Sequence, residues 1–370
     1  MNFSYWEYKS WLTAVDFTII GSGIVGLTSA LRLREKFPKS KILILERGML
    51  PNGASTKNAG FACFGSLSEI LDDLNSHTEQ EVLQLIQKRV NGLDILRKTL
   101  GDQAIGYKHY KGYELFTKND KILYQECISK KEYINTLLKS IFKDNVFTSQ
   151  ENSFRFKNIQ PQYIVNQLEG QIDTGKMMRQ LLYKVQSCGI HILNNCHVTE
   201  INDLNTSTEI KTDQFTFYSK KVLIATNGFA SLLGVDNVKP ARAQVLITKP
   251  IKNLHIKGTF HLEKGYYYFR NIDDRVLLGG GRNLDFKTEE TTELAQTFVV
   301  QDKLKELLHD VILPDTTFEI DYSWSGIMGV GSQKKSIVKQ LSNNVFCGVR
   351  LGGMGVAIGS IIGTELADLL

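Results

Sequence analysis

Gly21, Gly23 and Gly26 follow directly on an apolar run, Val15–Ile20, and an acid, Glu46, ends the next apolar run, 41–45. Glycines at this spacing suit phosphate chemistry. Gly21 permits a tight turn, Gly23 lets the main chain approach a pyrophosphate, and Gly26 lets a helix lie close on the strand before it. The helix that opens at Ile24 and Val25, with Ser22 in the turn ahead of it, offers unpaired N–H groups and the positive end of its dipole to an anion. Glu46 stands twenty residues beyond Gly26, where a carboxylate accepts hydrogen bonds from a ribose 2′-OH. That acid disfavours a 2′-phosphate, and so NADP, but leaves NAD and FAD open.

These residues need a strand, a turn, a helix and a second strand to hold them, and the pattern of 15–46 predicts that βαβ unit. Beyond it, 47–68 reads as loop and 69–100 carries a helical period of apolar residues. Segments 105–117 and 145–157 alternate as strands around a lysine-rich helix at 119–143. A helix opens at Asp173 and ends near Cys188, short strands follow at 189–194 and 198–201, and 208–218 alternates. A buried strand, 221–225, ends in Thr226-Asn227-Gly228. The middle, 240–325, is strand-rich (244–248, 266–270, 275–279), with a helix at 291–308. The end returns to α/β character, with a strand at 345–348, a glycine-rich turn, and a helix from about Gly355.

Composition narrows the class. The chain has 370 residues, more than one ordinary core accommodates, which implies a composite domain or two domains. Hydrophobic residues make up 42% and charged residues 22%, as in soluble globular proteins. The net charge of +5 is spread without a basic block, so nucleic acid is not an expected partner. The five cysteines are scattered with no CxxC pair, which argues against a metal knuckle or redox motif and fits a reducing cytoplasm. The N-terminal segment lacks the basic and apolar regions of a signal peptide, and the uncharged run 351–364 is too short to span a bilayer. Peripheral membrane contact stays open.

Three features favour FAD over NAD. Gly53-Ala54-Ser55-Thr56-Lys57-Asn58-Ala59-Gly60 is a small-residue loop able to lie against a flat ring and a pyrophosphate. The segment 221–228 places a small-residue turn at the C-terminal end of a strand, where ligands sit in such sheets. The run Gly348-Val349-Arg350-Leu351-Gly352-Gly353-Met354-Gly355 opens a helix whose N-terminus would stabilise negative charge on a reduced flavin.

With the segments 15–46, 53–60, Ile172-Asp173, 221–228, 240–248, 266–280 and 348–370 occurring in this order, the chain resembles the FAD-dependent amino-acid oxidase superfamily. That group contains glycine oxidase, sarcosine oxidase and the small subunit of D-amino-acid dehydrogenase. The resemblance implies an α/β fold: a discontinuous Rossmann-like FAD-binding domain and an α+β substrate domain with a mixed sheet. The boundaries expected are 1–85, 160–240 and 325–370 for the first and 86–159 and 241–324 for the second. It implies non-covalent FAD held by Gly21, Ser22, Gly23, Ile24, Val25 and Gly26, with Glu46 on the adenosine ribose. Arg47, Ser55, Asn58, Ala59 and Gly60 would line the cofactor, Val198 would meet the adenine through its backbone, and Thr226, Asn227 and Gly228 would close beneath. Gly353, Met354, Gly355 and Val356 would approach the isoalloxazine.

The implied reaction is oxidation of the C–N bond of a small amine or amino acid by hydride transfer to flavin N5, the imine then hydrolysing, with O2 or a quinone as acceptor. No acid–base residue is obligatory. Many members carry an arginine just after the segment matching Trp324-Ser325-Gly326, whereas this chain has Ile327-Met328-Gly329; some have a histidine in the glycine turn, where this chain has Leu351 with Arg350 beside it. A carboxylate anchor is therefore absent from its usual place or has moved. Tyr266, Tyr268 and Arg270 fall on one strand face by period-two spacing and are candidates to line the substrate pocket, as is Arg350. Arg242 and Arg282 are weaker candidates. His109, His191 and His197 lie outside the motifs, and Cys347, on the last strand, reads as a buried thiol rather than a flavin attachment point. Two other readings of the same fold are a flavin domain acting on a modified tRNA base and a non-catalytic FAD-binding scaffold that has lost its anchor.

Overall fold

The computed structural model describes residues 3–370. Two eight-stranded sheets organise them. In the first, five parallel strands run in the order His191–Leu193, Ile42–Leu45, Val15–Ile20, Thr216–Ile224 and Val345–Val349. An antiparallel strand, Ile337–Gln340, edges the last of these. The hairpin Val198–Asp203 and Thr208–Thr212 continues from Thr216–Ile224. Strands from the start, middle and end of the chain thus lie side by side. The apolar residues of Ile42–Leu45 are buried throughout, as a strand covered on both faces requires.

Helices cover one face of this sheet. The first helix, Ile24–Lys36, the C-terminal helix, Gly355–Asp368, the long helix Glu79–Leu100 and the helix Thr174–Ser187 share one core with residues such as Leu27, Leu96, Met177 and Ile362. Their approach is close because small residues stand where they cross. A Cβ on Gly363 would lie 2.6 Å from the Val25 carbonyl oxygen, and one on Gly92 2.1 Å from that of Ala357. The Ser29 hydroxyl donates to the Gly363 carbonyl across the same contact, at 2.9 Å.

The second sheet runs Ile320–Val330, Lys239–Thr248, Arg275–Gly280, Tyr267–Ile272, Thr259–Leu262, Gly112–Glu114, Gln162–Asn166, Phe147–Glu151. It is antiparallel except between Thr259–Leu262 and Gly112–Glu114, which pair in parallel, so it is the mixed sheet expected. One face packs Tyr267, Phe269 and Leu278 against the helix Phe298–Leu307. The opposite face looks onto the first layer. No helix among the described residues is long and apolar enough to cross a membrane.

Several local expectations change. The helical stretch 69–100 is two helices, Leu67–Leu74 and Glu79–Leu100, because Ser66 and Thr78 each form a capping box that starts a helix afresh. Only Gly112–Glu114 of 105–117 and Phe147–Glu151 of 145–157 pair as strand. The helix expected at 291–308 starts at Phe298. One expected domain boundary also moves. Gln162–Asn166 pairs within the second sheet although 160–240 was expected in the first domain, and the helix Glu79–Leu100 runs unbroken across residue 86, with Val82 and Ile86 packed beside Phe116, Phe147 and Ile164 and with Leu93 and Leu96 on the first layer. Periodicity tells that a helix has a buried face, not which layer covers it.

A polar cluster lies buried beneath the second sheet. Glu169 Oε1 meets His261 Nε2 at 2.7 Å, and neither side chain is more than 6% exposed. Burial pulls the His261 imidazole down, but Glu169, aided by Glu69 and Glu114, more than reverses this and raises it to about 9. An imidazole raised in the folded state stabilises fully below its unfolded value of about 6.5 and loses that contribution as pH rises through the folded value.

Two outcomes follow for stability. Gly92→Ala gains helix propensity yet forces two backbones apart, so urea titration is expected to show a net loss of about 1–3 kcal/mol. In chelator-treated protein, where nothing competes for the imidazole, the gap in urea midpoint between wild type and His261→Gln is expected to be widest near pH 6 and to shrink by pH 10. A gap independent of pH would show that the pair is not charged.

Candidate cofactor site and substrate face

The cradle begins where Val15–Ile20 ends. Gly21 turns at φ +103°, and its hypothetical Cβ would lie 2.9 Å from the Ala225 carbonyl oxygen, so glycine is needed for both conformation and space. Gly26 is needed for packing alone: a Cβ there would come within 2.0 Å of the Gly21 carbonyl oxygen. The first turn of the helix leaves N–H groups without intrahelical acceptors. Ser55 Oγ accepts from Ile24 at 3.0 Å, bringing the 53–60 loop over this terminus. The amides of Val25 and Gly26 remain for an incoming anion. Glu46 is buried; its Oε2 accepts from the Ser22 amide and hydroxyl, and its Oε1 from the Gly48 amide at 2.9 Å. The acid therefore braces the turn as well as standing at the strand end where a ribose would sit.

The 53–60 loop contains a short helix, Ala54–Lys57, then Asn58 as a side-chain hub. Asn58 Oδ1 accepts from the Gly60 amide at 2.8 Å and from Thr174 Oγ1 at 2.9 Å, while Nδ2 donates to the Ser55 carbonyl at 2.7 Å. Ala59 is buried against Val245 and Leu277 of the second sheet. Arg47 lays its guanidinium on the Phe229 ring, 3.7 Å from the centroid; burial lowers its pKa, and Glu46 opposes that shift. Val198 is buried at the start of its strand, just after Cys196 donates its amide to the Glu46 carbonyl.

The other ends of the chain close in through Asn227. Its Oδ1 accepts from the amides of Arg350 and Leu351, at 3.1 and 3.2 Å, joining the middle turn to the C-terminal one. The Thr226 methyl stands near Gly21, and Gly228 has no room for a Cβ against the Met328 carbonyl, 2.4 Å away. Gly352 and Gly353 take positive φ, then Met354 caps the helix that begins at Gly355 and Val356. Glycines where side chains would collide, a free helix N-terminus and a buried acid at the strand end together fit a dinucleotide.

Above the cradle lies the second sheet. Arg270 is buried and reaches down, its Nη1 donating to the Ile172 and Gly60 carbonyls at 2.7 and 3.3 Å. Burial lowers its pKa to about 10, an effect only partly countered by Asp173 and Asp273. Tyr268 meets the Phe61 ring edge to face, with centroids 5.6 Å apart, and Trp324 donates its indole N–H to the Lys57 carbonyl at 3.0 Å. Tyr268, Arg270 and Trp324 therefore face the 57–61 segment.

Other candidates are placed elsewhere. Tyr266 precedes the strand, with helical φ and ψ, which breaks the period-two pattern; its ring packs against Phe286 and Arg282, away from Tyr268. Arg350 adopts φ +64° and donates through Nε to the Lys335 carbonyl and through Nη1 to the Asn237 carbonyl, so it clasps two loops instead of standing free as an anchor. Arg242 is on the far face of the sheet, paired with buried Glu289 at 2.7 Å. His109 and His191 are spent locally, on the Gln167 carbonyl and against the Trp11 ring. Cys347 is fully buried, and burial raises its thiol. Phe61 and His261 escaped notice in the sequence. Strand register alone puts His261 beside Tyr268, and no local pattern marks either residue.

The folded chain is similar to glycine oxidase from Geobacillus kaustophilus, with a TM-score of 0.74 and 20% identity over 96% of this chain and 94% of that one. It is similar also to L-proline dehydrogenase from P. horikoshii, with a TM-score of 0.72 and 16% identity over 96% and 92% of the two chains. A probable oxidoreductase, OrdL, of Haemophilus influenzae (strain ATCC 51907 / DSM 11121 / KW20 / Rd) is 20% identical over 96% of this chain and 82% of its own length. The model of the FAD dependent oxidoreductase family matches residues 16–369, and the chain belongs to that family.

Proposed function

We propose that this FAD-dependent oxidoreductase oxidises the C–N bond of a small amine or amino acid in a reducing, cytoplasmic setting. The observation that carries this reading is the aromatic face of Tyr268, Phe61 and Trp324 set directly over the cofactor loop. Bound FAD supplies the acceptor for the hydride that leaves the carbon next to nitrogen. The chain's own residues bind the substrate, orient its C–H bond and exclude water. Buried Val245, Leu277 and Ala59 keep this face dry, and Tyr268 offers a hydroxyl that burial holds protonated, its pKa raised to about 12. Glycine oxidase and L-proline dehydrogenase, by their names enzymes of small amino acids, share the fold and support the reading.

The arginines bear on substrate class. Arg242 and Arg275 pair with acids, Arg350 is held by two carbonyls, and Arg270 gives Nη1 to two more. With Ile327-Met328-Gly329 where relatives carry an arginine, an amine without an α-carboxylate fits this face better than an amino acid does.

Anaerobic mixing with a panel of amines and amino acids tests the reading. At least one amine is expected to bleach the flavin, with colour returning on contact with oxygen or a quinone. A flavin never reduced by any member of the panel would leave a binding scaffold instead. Gly23→Glu is expected to give folded but colourless protein, because the new side chain starts 2.8 Å from Ser55 Oγ and brings negative charge to the phosphate position. A yellow variant would place the pyrophosphate elsewhere.

A further inference from the structure

Three segments meet beneath the second sheet. Cys63 follows the short strand Phe61–Ala62, Glu169 precedes the strand Gly170–Gln171 that pairs with it, and His261 comes from Thr259–Leu262. Their ligand-type atoms lie within 4.8 Å of one another, and the three residues are 6%, 0% and 4% exposed. Glu169 uses only one of its oxygens: Oε1 meets His261 Nε2, while Oε2 is buried with no hydrogen-bond partner. A carboxylate oxygen withdrawn from water without a partner is costly, and its environment is completed by a donor or a cation. Gly112 leaves room there, since a Cβ on it would lie 2.2 Å from Oε2.

We propose that Cys63, Glu169 and His261 bind a divalent transition-metal cation of the zinc class, in a closed site apart from the FAD cradle. The donor set is the first argument. Thiolate, imidazole and carboxylate together suit zinc and its neighbours, whereas calcium and magnesium call for oxygen alone. Geometry is the second. Bonds of about 2.0–2.3 Å around a tetrahedral ion put ligand atoms roughly 3.3–3.8 Å apart, so the cluster needs only small rotamer adjustments. The free Oε2 of Glu169 can complete the set as the second arm of a bidentate carboxylate. Charge is the third, because a dication neutralises a thiolate and a carboxylate together. On coordination the Cys63 thiol proton and the His261 Nε2 proton pass to solvent, and nothing is oxidised or reduced. The Phe61 ring, edge-on to the imidazole at 5.2 Å, and the neighbouring Glu114, held by Ser66 and Ser68, would form the surrounding shell.

The site stands independently of the proposed reaction, and its test does not use turnover. FAD-loaded protein is treated with EDTA, desalted and titrated with Co(II). One equivalent is expected to produce intense tetrahedral d–d bands at wavelengths beyond the flavin absorption, removed by added zinc. In Cys63→Ser and His261→Gln, zinc affinity is expected to fall by at least roughly 10–100-fold, the loss typical even of outer-shell partners. The flavin spectrum and circular dichroism of each variant report whether it has folded, and Glu169→Gln gives a third, shape-conserving probe. Absence of the d–d bands in folded wild type, or identical cobalt spectra in wild type and folded Cys63→Ser, would overturn the proposal and leave a plain imidazolium–carboxylate pair.

Discussion

The close crossing of the C-terminal helix on the first helix is the contact on which the rest of the molecule depends. Gly359 lies against the Ile24 side chain, and Gly363 lies against the main chain of Val25 and Ser29. Backbone cannot repack around an added carbon as a side chain does, so the crossing tolerates little change at Gly363. Its consequence is positional. The first turn of Ile24–Lys36 and the glycine turn before Gly355 are fixed side by side, although more than three hundred residues separate them in sequence. Gly92 repeats the device with a third helix and so attaches Glu79–Leu100 to the same layer.

A second tier of contacts is polar and joins loops to this frame. Asn227 accepts from the Arg350 and Leu351 amides of a distant turn, and Asn58 accepts from the Gly60 amide of its own loop and from the Thr174 hydroxyl; an apolar residue at either place would leave donors unpaired. Arg270 and Arg350 extend the principle with buried guanidinium groups directed at carbonyls, Arg270 linking the second sheet to the cofactor loop. A guanidinium used in this way is unavailable in that direction for a substrate carboxylate. The structural use of these arginines and the proposed preference for an amine lacking a carboxylate thus share one physical origin.

The face above the cofactor loop combines a dry aromatic surface with a polar cluster beside it. Phe61 touches both, meeting Tyr268 and His261. A buried carboxylate with an orphan oxygen is tolerated in such a place only with strong compensation, from the imidazolium alone or from a cation shared by Cys63, Glu169 and His261.

The geometry of the candidate cofactor cradle was legible in the residues themselves. Strand, glycine turn, helix N-terminus and acid at 15–46 act over short spans, so their spacing carries their geometry. The small loop at 53–60 and the glycine turn at 348–355 were legible for the same reason. The candidate substrate face was not. Tyr266 reads as a neighbour of Tyr268 by alternation, but one residue in helical conformation before the strand turns it away. Arg350 reads as a free cation, but a positive φ and two distant carbonyls claim it. Cys63, Glu169 and His261 have nothing in common along the chain, and strand register alone brings them together. Local backbone chemistry is written in neighbouring residues. The direction of a side chain, and the partner that uses it, is decided by contacts between segments far apart, which only the tertiary fold supplies.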